Sequence, residues 1–184
     1  MKSFYAVVLV LATASAYGQS VNPNWKPELK TNLGKFLQCT TAGDKSACSS
    51  YIGESLKVVY KVDDFYDKKA GRYMTAGEIS KFLKTSGSWT SLGQSYDQQV
   101  LDRAGELANA RKAVVAVYNN ASGIGHIVLI TPGEMAISGS WGLKVPAAAS
   151  FFPVEPAKSF TDKGLSFAFS KQMMKDITLY ARKY

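Results

Sequence analysis

The chain has 184 residues, with 22 Lys and Arg against 14 Asp and Glu, for a formal net charge of +8. That length suits one domain with a self-sufficient core, and no internal repeat, low-complexity tract or linker divides it. One histidine and two cysteines are too few for a closed zinc site without carboxylates, and no phosphate-loop or GxSxG pattern occurs.

The opening residues, MKSFYAVVLVLATASAYGQS, join Lys2, an apolar run from Phe4 to Ala12 and small residues from Ala14 to Gly18. This is the three-part pattern of a secretory signal peptide over residues 1–18, with an apolar run too short to span a bilayer. Residues 19–184 are then a single domain outside the cytoplasm, secreted or periplasmic. No later stretch is long and apolar enough to predict a membrane span. The positive charge suits an anionic polymer such as cell wall, envelope surface or nucleic acid. Because the basic residues are scattered, a solvated surface accounts for them equally well.

After Pro23 and Pro27, Leu29, Leu33, Phe36 and Leu37 recur at helical spacing. TTAGDKS interrupts that pattern. A second helix follows, with Cys48, Ile52, Leu56 and Val59 on one stripe, Cys48 in its first turn and Asp44 or Ser46 as N-cap. Thr75 and Glu78 have the spacing of a capping box before Ile79, Phe82 and Leu83. SYDQQVLDRAGELANARK predicts a fourth helix with Leu101, Ala104 and Leu107 inward. The period then shortens: AVVAVY (113–118), HIVLI (126–130) and MAISGS (135–140) read as short strands. TPGE between the last two predicts a tight turn and an antiparallel hairpin. VPAAASFFP reads as an ordered surface loop, LSFAF (165–169) as a further strand and SKQMMKDITLYARKY as a closing helix. Helices followed by an antiparallel sheet make the class α+β.

The chemistry-bearing residues are Cys48 and His126. A thiol attacks well as a thiolate, which the first turn of a helix stabilises through free N–H groups and the dipole. A neighbouring imidazole lowers the thiol pKa and later protonates the leaving group. Gly123 and Gly125 leave room for substrate backbone beside the imidazole, and Ser138 or Ser140 on the return strand is the candidate for orienting the ring. Trp89 and Trp141 each follow Ser-Gly-Ser and are candidates for lining a groove for sugar or peptide. The alternative for Trp89 is that it closes an edge of the core. Cys39 lies near a helix C-terminus, where the dipole disfavours a thiolate. A Cys39–Cys48 disulfide is the rival reading, since a bridged Cys48 is no nucleophile.

DKSACSSYIGESL, followed much later by ARKAVVAVYNNASGIGHIVLITPG, resembles the papain-like cell-wall hydrolases of the NlpC and CHAP type, over roughly residues 36–145. The resemblance implies a nucleophile helix packed on an antiparallel sheet, Cys48 as nucleophile and His126 as general base. It also implies peptidoglycan stem peptides as substrate, with no metal or organic cofactor. Ser49-Ser50 departs from the small residue and glycine common after the cysteine, and no carboxylate or amide marks the third position. The expected function is a cysteine amidohydrolase or endopeptidase acting on peptidoglycan, with Cys48, His126 and Ser138 catalytic and Trp141, Ser140, Gly125 and Trp89 at substrate. The alternative is a disulfide-stapled envelope or wall-binding module without catalysis. A secreted nuclease is disfavoured by the single histidine.

Overall fold

The structure, a computed structural model, describes residues 21–41, 47–119 and 125–184. The expected signal peptide, the expected caps Asp44 and Ser46, and Gly123 lie outside them. Helix α1 (Trp25–Thr41) buries Leu29, Asn32 and Phe36. A short 3₁₀ turn (Ala47–Ser50) leads into α2 (Tyr51–Tyr60), which buries Ile52, Leu56 and Val59, the stripe expected from their spacing. Helix α2 itself has Ser50 at its N-cap position, so Cys48 sits in the preceding 3₁₀ turn and not in the first turn of α2. A two-residue hairpin, β1 (Tyr66–Asp67) and β2 (Arg72–Tyr73), precedes α3 (Ala76–Thr85). There the capping box forms: Thr75 accepts from the Glu78 N–H while Glu78 accepts from the Thr75 N–H. Strand β3 (Trp89–Gln94) follows, then α4 (Gln98–Asn109), capped by Asp97. Leu101, Ala104 and Leu107 of α4 are buried.

The second half supplies β4 (Val114–Asn119), β5 (Gly125–Ile130), β6 (Ala136–Ser138), β7 (Leu143–Val145), β8 (Ala147–Ser150), β9 (Phe160–Gly164) and β10 (Ile177–Arg182). Six strands form one antiparallel sheet in the order β3-β10-β4-β5-β8-β9. The class is therefore α+β. Val114 to Val117 and Ile127 to Ile130 are buried without alternation, so the centre of the sheet is covered on both faces. Helices α2 and α3 pack on β5, and α4 on β3, β4, β5 and β10. The Tyr60 hydroxyl, at the end of α2, donates to the Ile130 carbonyl at 2.7 Å and ties that helix to the sheet.

Four local expectations are corrected. SKQMMKDITLYARKY is no helix: after a 3₁₀ segment (Lys171–Asp176), Ile177–Arg182 is the strand between β3 and β4. Met173, Met174, Ile177 and Tyr180 fall at helical spacing. However, Ile177, Leu179 and Ala181 also alternate, and a sheet slot buries all three. VPAAASFFP is no surface loop but holds β8, with Ala148, Ala149 and Ser150 fully buried between β5 and β9. The expected hairpin after TPGE does not form. Strand β5 pairs instead with β8, while β6 pairs with β7 in a separate ribbon turned at Gly142 (φ 73°). LSFAF begins as a 3₁₀ turn (Leu165–Phe167) rather than a strand.

Cys39, in the last turn of α1, is disulfide-bonded to Cys48, nine residues on. Closing a loop of that length is worth about 2.5 kcal/mol in the chain-entropy picture. The same two helices are joined independently. Asn32 donates to Ser55 at 3.2 Å, and the Phe36 ring meets Tyr51 and Phe151 edge-on at 5.5 and 5.4 Å. Burial of Leu29 and Phe36 adds roughly 1.5–3 kcal/mol each. The docking of α1 thus has more support from its apolar face than from the bridge.

Candidate active site

His126 is the second residue of β5, facing Tyr118 of β4 in register. Across the other edge, Ser150 of β8 stands opposite Val128. With a side-chain period of two, Ser150 and Phe152 therefore lie on the same side as His126. The contacts follow from that register. The Ser150 hydroxyl is 2.7 Å from His126 Nε2, and the Phe152 ring stacks on the imidazole with centroids 4.3 Å apart and 13° between planes. Phe169 meets the ring edge-on at 5.7 Å. With Nε2 engaged, Nδ1 is the ring nitrogen left for chemistry. The two aromatics strip water from the imidazole, and this burial lowers its pKa to about 4. The ring is therefore neutral at pH 7.

Cys48 is 1% exposed in the 3₁₀ turn that opens into α2. It lines one small chamber of about 90 Å³ together with Ile52, Ala76, Gly125, His126, Ile127, Phe151 and Pro153. The structure thus brings Cys48 and His126 to the same cavity, although they are 78 positions apart in sequence. His126 also borders a largely apolar groove of about 330 Å³, lined by Tyr118, Phe152, Val154, Phe169 and Met173 together with Glu155. Gly125 belongs to both spaces. A Cβ there would come within 3.3 Å of the Tyr118 carbonyl, so a side chain would fit only if the strand gave by a few tenths of an ångström.

The bridge to Cys39 is the first finding that runs against the expected site. In this state the Cys48 sulfur is bonded and not a nucleophile. The third position also needs correction. Ser138 is on the β6–β7 ribbon, where its hydroxyl meets that of Ser140 at 3.2 Å and accepts from the Trp141 N–H. The hydroxyl on His126 is that of Ser150, which sequence reasoning missed because an alanine-rich segment carries weak strand propensity. Trp141 is buried at the ribbon turn and donates its indole N–H to the Phe169 carbonyl at 3.1 Å, so it supports the ring that touches His126. Trp89 stacks on Phe65 and donates to Asp64, which also holds Arg182, at the far edge of the sheet. It closes the core there and lines neither space around His126.

Among the described residues, two other concavities are larger than the groove. One, of about 420 Å³, lies beside Trp25, Lys30, Thr131 and Asp162. The other, of about 450 Å³, lies beside Tyr96, Trp141 and Lys171. Neither is lined by a cysteine or histidine, so volume alone does not locate the chemistry. Among the described residues no three His, Cys, Asp or Glu side chains cluster as metal ligands, and no helix is long and apolar enough to cross a membrane. No family model matches the chain, and no curated protein matches it.

Proposed function

We propose that the protein, once its disulfide is reduced, is a papain-like cysteine amidohydrolase that cleaves amide bonds in peptidoglycan peptides outside the cytoplasm. The observation that carries this reading is the shared chamber, with Cys48 at a helix entrance and His126 held through Nε2 by Ser150. The neutral imidazole accepts the Cys48 proton, and the thiolate attacks the substrate carbonyl. An anion beside the ring then raises the imidazole pKa from its depressed value and stabilises the ion pair. N–H groups at the entrance to α2 are the candidates for holding the oxyanion. His126 returns the proton to the leaving amine, and water releases the acyl group by the reverse sequence. Ser150 keeps the ring oriented, a task usually given to an amide or carboxylate. The basic chain and the resemblance of its cysteine and Gly-His segments to cell-wall hydrolases support the substrate class. The disulfide is in keeping with an oxidising compartment.

The test is amine release from purified sacculi. The reduced protein should generate new amino groups, and Cys48→Ala should abolish them. Equal release by Cys48→Ala would overturn the mechanism. The bridge itself favours a second reading, a stapled module that binds wall polymer without cutting it. That reading predicts sacculus binding by the oxidised protein and no amine release in any redox state.

A further inference from the structure

We infer that the Cys39–Cys48 bridge is a latch on the site, opened by a dithiol reductant that attacks Cys39 and releases Cys48. What the released sulfur then does rests on the function proposed above. The two sulfurs are unequally placed: Cys39 is part-exposed on the last turn of α1, whereas Cys48 is buried against the chamber. A reductant thiolate therefore reaches the Cys39 sulfur. A new S–S bond forms there, and the old one breaks with its electron pair on Cys48. The departing sulfur is the one that lines the chamber with His126 and precedes α2, where an anion is best accommodated. The reductant's second thiol then attacks the mixed disulfide and leaves Cys39 reduced. The reductant ends as its own disulfide, and the protein gains two electrons and two protons.

A bridge that served only as a staple would be needed to hold α1. Here α1 is also held by buried Leu29 and Phe36 and by the Asn32–Ser55 hydrogen bond, contacts that do not depend on the bridge. Reduction can thus free Cys48 without releasing the helix.

The experiment compares oxidised protein, dithiothreitol-reduced protein and Cys39→Ser without reductant. Amine release from sacculi is read together with the site of the mixed disulfide formed with glutathione. The latch predicts glutathione on Cys39, and activity at least roughly tenfold higher after reduction. It also predicts that Cys39→Ser works at the reduced rate without reductant, with the far-ultraviolet circular dichroism unchanged throughout. Glutathione on Cys48, a fold lost on reduction, or oxidised protein as active as reduced protein would each overturn the latch. If glutathione settles on Cys39 and the fold persists, but no form releases amines, the latch chemistry stands and the proposed hydrolase fails.

Discussion

Acidification of the oxidised protein should weaken it through one identifiable group. His126 has a folded pKa near 4, set by burial against Phe152 and Phe169, whereas an unfolded chain titrates near 6.5. Between those values the unfolded state binds a proton that the folded state refuses. The contribution is therefore intact above about pH 6.5 and is lost as pH falls towards 4. Linkage over the interval gives roughly 2.5 kcal/mol lost between pH 7.5 and 4.5, an upper value because one edge of the ring borders open cavities. Urea unfolding of wild type and His126→Gln at both pH values isolates the effect, since other titrating groups cancel in the difference. With a slope of about 2 kcal/mol/M, the wild-type midpoint should fall by roughly 1 M more than that of the variant. Parallel falls would show that burial against Phe152 and Phe169 does not hold the imidazole neutral. As the only histidine, His126 also gives a single, unambiguous NMR titration.

Three other outcomes follow from the contacts. Ser150→Ala leaves a part-buried imidazole nitrogen without its partner, which should cost about 1 kcal/mol by thermal denaturation and shift the histidine tautomer seen by nitrogen NMR. Cys39→Ser should lower stability of the oxidised protein by about 2.5 kcal/mol in urea while keeping a cooperative transition. A much larger loss would mean that the bridge, and not the apolar face, docks α1. Thr75→Ala removes the side-chain half of the α3 capping box and should cost about 1 kcal/mol, measured by the same unfolding assay.

The helices of the first half were legible because they carry period and punctuation together, whereas the strands between them, β1, β2 and the sheet-edge strand β3, were not read. The Ile52, Leu56 and Val59 stripe and the Thr75–Glu78 box each specify one local structure. Placing Cys48 at a helix start and His126 at a strand start needed only those local signals. Their convergence on one chamber depends on α2 packing against β5, a non-local contact. Strand β10 was misread because its apolar residues satisfy both periods, and only its place between β3 and β4 decides. Ser150 was illegible for a related reason. Its role comes from the register of β8 on β5, and neither Ala147–Ala149 nor the following Phe-Phe-Pro announces a buried strand. Ser138 looked suitable because TPGE suggested a hairpin that would bring it beside His126. The chain instead spends those residues on a separate ribbon and returns to β5 with β8. The bridge was weighed from cysteine count and compartment, but loop length alone could not decide it.

Once released from the bridge, Cys48 should be activated by His126. In Cys39→Ser, Cys48 is the only thiol, so its alkylation by iodoacetamide can be followed directly against pH. Labelling should follow an apparent pKa below that of an ordinary thiol and slow markedly near neutral pH in Cys39→Ser/His126→Ala. Labelling with an ordinary cysteine profile, indifferent to His126, would contradict that activation.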